Sequence, residues 1–142
     1  MREALLAVGE VHAAGVIHAD LKPDNFLVAD GASSVKIIDF GVSVRAGNAC
    51  RGGTDGFEDP SLAEKGTVPT VSTDIYSFGV MSLVLLFEVE IDNCRYPMPL
   101  EPAQCSAPRP EGSGALWQLF CRCLNPDTTL RPSVDELCDG LE

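Results

Sequence analysis

The sequence predicts a mainly α-helical domain of the α+β kind, carrying one small β-hairpin. Three observations point there. Apolar residues recur at helical spacing in three separated stretches, two short β-type runs flank a turn signal, and a fourth helix is announced by its cap. At 142 residues and 45% apolar content the chain is long enough to bury a core, and it fits one domain.

The elements follow in order. Arg2 to Ala14 places Leu5, Val8 and Val11 on one helical face, and Gly15 is positioned to end that helix. No capping residue precedes it, so the chain is expected to begin inside a larger structure. Phe26-Leu27-Val28 and Val35-Lys36-Ile37-Ile38 are strands, with Asp30-Gly31 and Ser33-Ser34 between them. Residues 41–60 are Gly-rich, polar and aperiodic, which predicts loop. Asp74 to Phe87 reads as a helix with Ser72 and Thr73 as candidate caps and Asp74 in its first turn. Apolar residues from Val80 to Phe87 cover nearly its whole circumference, which predicts a buried central helix. Asn93 to Gly114 is rich in proline and predicts irregular chain. Leu116, Trp117, Phe120, Cys123 and Leu124 define an amphipathic helix, and Ser133 with Glu136 forms a capping box for the last one.

Composition narrows the function. Ten Lys and Arg against 21 Asp and Glu give a net charge of −11, which argues against a nucleic-acid partner and against anionic lipid. The uncharged run Tyr76 to Phe87 is too short for the ~18–20 residues of a membrane span. Glu3 and Glu10 interrupt any secretory signal, so the expected location is intracellular, cytoplasmic or nuclear. Six cysteines occur without a Cys-x-x-Cys pair and with only His12 and His18 beside them, which predicts reduced thiols instead of zinc or disulfides.

The chemistry lies in His18-Ala19-Asp20-Leu21-Lys22-Pro23-Asp24-Asn25, followed by Ile38-Asp39-Phe40-Gly41. Taken singly, Asp20, Asp24 and Asn25 are ordinary turn residues, and Asp39 an ordinary strand end. Together, with the hairpin between them, they resemble the catalytic loop and Asp-Phe-Gly motif of eukaryotic-type protein kinases. Further matches follow: Gly53 to Pro60 resembles the end of an activation segment, Asp74 to Gly79 the start of the family's central helix, and Leu130-Arg131-Pro132 its C-terminal arginine.

The resemblance implies a kinase-like domain over 1–142 that represents the C-terminal lobe only. It divides into catalytic loop 18–25, activation segment 39–61 and C-terminal helices 72–142, with the N-terminal lobe absent. It implies a serine/threonine kinase activity that uses ATP and Mg²⁺ on protein substrates. Asp20 would accept the substrate proton, and Lys22 would meet phosphoryl charge. Asn25 and Asp39 would offer hard oxygens to magnesium. Thr54 would form the substrate platform, while His18, Asp74 and Arg131 would give structural support.

The departures matter as much. Ala19 replaces the arginine that in the family pairs with an activation-loop phosphate, and residues 44–53 hold no Ser, Thr or Tyr, so ordering without phosphorylation is expected. Ser61 stands where the family has the glutamate that pairs with Arg131, which leaves Glu58 or Glu64 as the expected substitute. An unpaired buried arginine would cost on the order of 3–5 kcal/mol. The Gly-rich phosphate loop, the strand lysine and its helix glutamate are not in this sequence. The expected state is therefore a fragment inactive on its own, which needs an upstream polypeptide or self-associates through an exposed lobe surface. The alternative is a pseudokinase or kinase-derived interaction module without catalysis.

Overall fold

The computed structural model describes residues 1–29, 34–50, 52–63, 66–89 and 112–142. The elements are α1 (Arg2–Ala13), β1 (Val16–Ile17), β2 (Phe26–Val28), β3 (Val35–Ile37), β4 (Val44–Arg45), α2 (Val71–Phe87), α3 (Gly114–Cys123) and α4 (Val134–Gly140). Short 3₁₀ turns occupy Pro23–Asn25, Pro60–Ala63 and Thr128–Leu130. No helix among the described residues is long and apolar enough to cross a membrane.

The first helix ends as its sequence predicts. Gly15 takes φ +72, which an L side chain would resist, and its N–H donates to the His12 carbonyl at 2.9 Å. The hairpin also forms, with Phe26 opposite Ile37, Leu27 opposite Lys36 and Val28 opposite Val35. Its predicted Asp30-Gly31 turn lies outside the described residues, as do Asn93 to Glu111 of the proline-rich stretch.

The expectation of loop throughout 41–60 is corrected. Val44–Arg45 pairs antiparallel with Val16–Ile17, so a second two-stranded ribbon ties this segment to the chain just ahead of the catalytic-type loop. Two-residue strands carry no readable alternation, and their pairing is long-range.

Helix α2 passes through the core. From Thr73 to Leu83 every residue is buried, including Thr73, Asp74, Ser77 and Ser82. The hydroxyls survive there by bonding back along the helix: Ser82 Oγ donates to the Phe78 carbonyl at 2.7 Å, and Thr73 Oγ1 to the Thr70 carbonyl at 2.6 Å. Two expectations for α2 are corrected. Its cap position is Thr70, without a side-chain capping bond, while Ser72 donates to the Thr128 carbonyl at 2.8 Å. Burial all round also fails near its end, where Leu85 and Leu86 are exposed.

Gly79 sets how closely α3 approaches α2. A Cβ there would lie 2.4 Å from Cys123 Cβ and 2.8 Å from Leu124 Cδ1, so only glycine permits this contact. Phe78 packs against Phe120, and Phe87 meets Trp117 edge-on with ring centroids 5.0 Å apart. Burial pushes the Cys123 thiol up to about 12, as expected of an inert core residue. The capping box at Ser133 forms with both reciprocal bonds present.

Candidate active site

The loop between β1 and the Pro23–Asn25 turn is held from below by one buried side chain. Asp74, fully buried in the first turn of α2, accepts the backbone N–H of His18 through Oδ2 and that of Ala19 through Oδ1, both at 2.8 Å. His12 Nε2 meets the same Oδ2 at 2.8 Å. A buried carboxylate needs such partners, because desolvating the charge without them would cost several kcal/mol. Sequence reasoning weighed His12 only as a metal ligand. It is the penultimate residue of α1, and its contact with Asp74 spans 62 residues and is not local.

With both amides fixed, Ala19 takes φ +64, a left-handed conformation rare for a residue with a Cβ and costing roughly 1–2 kcal/mol. The strain turns the chain so that Asp20 leaves the core and stands partly exposed. His18 supports the turn from within: its Nδ1 accepts the Asp20 N–H at 3.3 Å, and its Nε2 donates to the Ile38 carbonyl at 3.1 Å. Those two partners fix the tautomer, since an N–H must donate and a carbonyl must accept. Ser43 Oγ donates to the His18 carbonyl at 2.9 Å, another contact sequence reasoning missed.

Four of the residues singled out from sequence meet here. Lys22 Nζ donates to Thr54 Oγ1 at 2.7 Å, and Thr54 Oγ1 donates to Asp20 Oδ1 at 2.6 Å. Lys22 Nζ also lies 3.2 Å from Asp20 Oδ2. Asn25, buried, donates its amide N–H groups to the Asp20 carbonyl at 2.8 Å and to Asp20 Oδ2 at 3.3 Å. The Asp20 carboxylate is thus oriented by three side chains and neutralised by one ammonium. Both of these bonds use the Asn25 nitrogen, and its Oδ1 has no hydrogen-bond partner among the described residues.

Asp39 joins through the backbone. The Ile38 N–H donates to the Asn25 carbonyl at 2.9 Å, so Asp39 begins where the hairpin returns to the loop. It also adopts a left-handed φ, +60, tolerated by a short polar side chain, and its Oδ1 accepts the Gly41 N–H at 3.2 Å. Phe40 folds back edge-on against His18, with centroids 4.9 Å apart.

Arg131 lies apart from this cluster. Its partner is Asp59, which corrects the expectation of Glu58 or Glu64. The guanidinium makes a bidentate pair with the Asp59 carboxylate, one arm through Nη1 to Oδ2 and the other through Nη2 to Oδ1 at 3.3 Å. It also donates to the carbonyls of Ser72 and Asn125, and lies 5.0 Å over the Tyr76 ring. Glu58 faces the other way and accepts the Gly53 N–H at 2.8 Å. Glu64 lies outside the described residues. Ser61 leaves no orphaned arginine, because the acid sits two residues earlier.

A site in which an aspartate, a lysine, an asparagine and a threonine meet, with an Asp-Phe-Gly turn at the end of the adjoining hairpin, defines a class. The family model described as the protein kinase domain matches residues 1–140, and the chain belongs to the protein kinase family. It is similar to the serine/threonine-protein kinase PknG of Mycobacterium leprae (strain TN), 31% identical over 135 residues that cover 94% of this chain and 17% of the relative. PknG of Mycolicibacterium smegmatis is 30% identical over 143 residues, covering 99% and 18%. The calcium/calmodulin-dependent protein kinase type 1B of Rattus norvegicus is 38% identical over 102 residues, covering 67% and 27%. The chain therefore spans less than a fifth of the PknG relatives and about a quarter of the third.

Proposed function

We propose that this chain forms the catalytic, C-terminal lobe of a serine/threonine protein kinase acting on protein hydroxyls. The observation that carries the reading is the Lys22–Thr54–Asp20 relay, closed by Asn25. In this role the Asp20 carboxylate accepts the proton of the substrate hydroxyl, and Thr54 holds that carboxylate in register for the incoming side chain. Lys22, already within reach of Asp20, offers its ammonium to the charge that develops on the transferred group.

The donor chemistry fits magnesium. Asn25 Oδ1 and Asp39 Oδ2 have no partners among the described residues, and both are hard oxygens of the kind Mg²⁺ takes alongside nucleotide phosphates. Magnesium-bound ATP supplies the phosphoryl group and neutralises its charge. Asn25 and Asp39 would hold the metal, and the left-handed turn at Asp39 keeps that carboxylate where the hairpin ends.

Completion of the site by another polypeptide segment is part of the reading. Leu27, Val28 and Phe40 are exposed by 53%, 65% and 46% beside the polar cluster, which supports a covering partner that carries the phosphate loop and strand lysine. The chain alone is expected to transfer little or no phosphate. The test is Mg-ATP-dependent labelling of a generic protein substrate by the protein purified from its own cells. Labelling that falls about 10²-fold or more in Asp39→Ala supports the reading. No labelling by the wild type leaves the interaction-module alternative.

A further inference from the structure

We propose that Glu58 is a positioning residue, whose carboxylate locks Gly53 and Thr54 against the catalytic-type loop and so sets the aim of Asp20. The proposal rests on the role given to Asp20 above. Residues 53–58 close on themselves. The Gly53 N–H donates to Glu58 Oε2 at 2.8 Å, and the Glu58 N–H donates to the Thr54 carbonyl at 3.1 Å. The Phe57 N–H donates to the same carbonyl, also at 3.1 Å. Side chain and backbone of one residue therefore fix the N–H of Gly53 and the carbonyl of Thr54, which bracket the peptide that joins those two residues.

The ring presses on the site. A Cβ at Gly53 would lie 2.4 Å from the Ala19 carbonyl oxygen and 3.2 Å from Asp20 Oδ1, so the Gly53 backbone sits directly on the strained Ala19–Asp20 turn. The next side chain, Thr54, supplies the hydroxyl that Asp20 accepts and Lys22 donates to. Glu58 touches neither Asp20 nor Lys22; it acts through Gly53. A charge-assisted bond to a backbone N–H suits the task, since it is stronger and more directional than a neutral one. Residues 44–53 offer no hydroxyl on which a phosphate could do the same work. The chain instead carries its own anion, five residues beyond the amide it holds.

The experiment compares wild type, Glu58→Ala and Glu58→Gln by amide hydrogen exchange and by steady-state transfer from Mg-ATP, on the protein purified from its own cells. In Glu58→Ala, exchange over residues 52–57 is expected to rise about tenfold, the equivalent of one lost hydrogen bond, while α2 keeps its protection. Its kcat is expected to fall about 10- to 100-fold with KM for ATP little changed, because aim is lost and nucleotide contacts are not. Glu58→Gln, which keeps an acceptor oxygen, should recover most of both. Unchanged exchange in Glu58→Ala overturns the proposal. So does an unchanged kcat, a loss of α2 protection, or a Gln variant no better than Ala. If the wild type transfers no phosphate even when purified with the polypeptide that covers its exposed face, the kinase reading fails, and the exchange comparison still decides whether Glu58 holds the segment.

Discussion

Asp20 and Asp74 are both aspartates ringed by donors, and they differ in what the donors are. Asp74 is fully buried and binds the backbone amides of His18 and Ala19, with the His12 ring as its one side-chain partner among the described residues. Asp20 is partly exposed and is held by three side chains, Thr54, Lys22 and Asn25. Backbone donors cannot rotate away, so Asp74 is architecture. Side-chain donors can exchange partners, which suits Asp20 to the proton-accepting role proposed for it. Burial and partner type together separate two residues that a motif lists as equals.

The sharpest way to break the comparison is Asp74→Ala. It strips two buried amides of their acceptor and removes the reason Ala19 accepts its strained φ. We expect a loss of about 3–5 kcal/mol in urea unfolding, with the 18–25 loop exchanging freely. A loss below about 1 kcal/mol would mean the loop needs no such anchor.

Asp59→Ala tests the same logic at the other end of the core. It leaves Arg131 buried without its counter-charge, at a cost of about 3–5 kcal/mol. Asp59→Ala combined with Ser61→Glu asks whether an acid two residues later restores the pair. Recovery of more than half the lost stability would show that the position of the acid along this segment is interchangeable.

The smallest effect belongs to the capping box. The Ser133 N–H, and then the Ser133 hydroxyl, hold Glu136 below its ordinary value of 4.5. A depressed carboxylate stabilises the fold above that ordinary value, and the contribution fades as pH falls through the lower folded value. Glu136→Gln should therefore flatten the acid limb of stability below pH 4.5 and leave the slope near neutrality unchanged. Ser133→Ala should cost about 1 kcal/mol at neutral pH.

What the sequence made legible was local. The hairpin, the Gly15 stop, the Ser133 cap and the grouping of Asp20, Lys22 and Asn25 lie within a few residues of their signals. The rest depended on long-range pairing. His12 meets Asp74 across 62 residues, and Asp59 meets Arg131 across 72. The second pair had no local signal either, because Glu58 and Asp59 follow a tight turn in which the Phe57 and Glu58 N–H groups both donate to the Thr54 carbonyl, and a turn has no side-chain period to read. The β1–β4 ribbon had no signal, since two residues per strand show no period. Gly79 was visible within a motif, yet only its approach to Cys123 explains why no side chain fits there.

The most direct measurement pairs phosphoryl transfer with thermal unfolding for Asp20→Asn in the protein purified from its own cells. The expected result is transfer reduced by about 10²- to 10⁴-fold with stability changed by no more than about 1 kcal/mol. An Asp20→Asn protein that labels substrate as well as the wild type, or that melts as low as Asp74→Ala, would contradict the account.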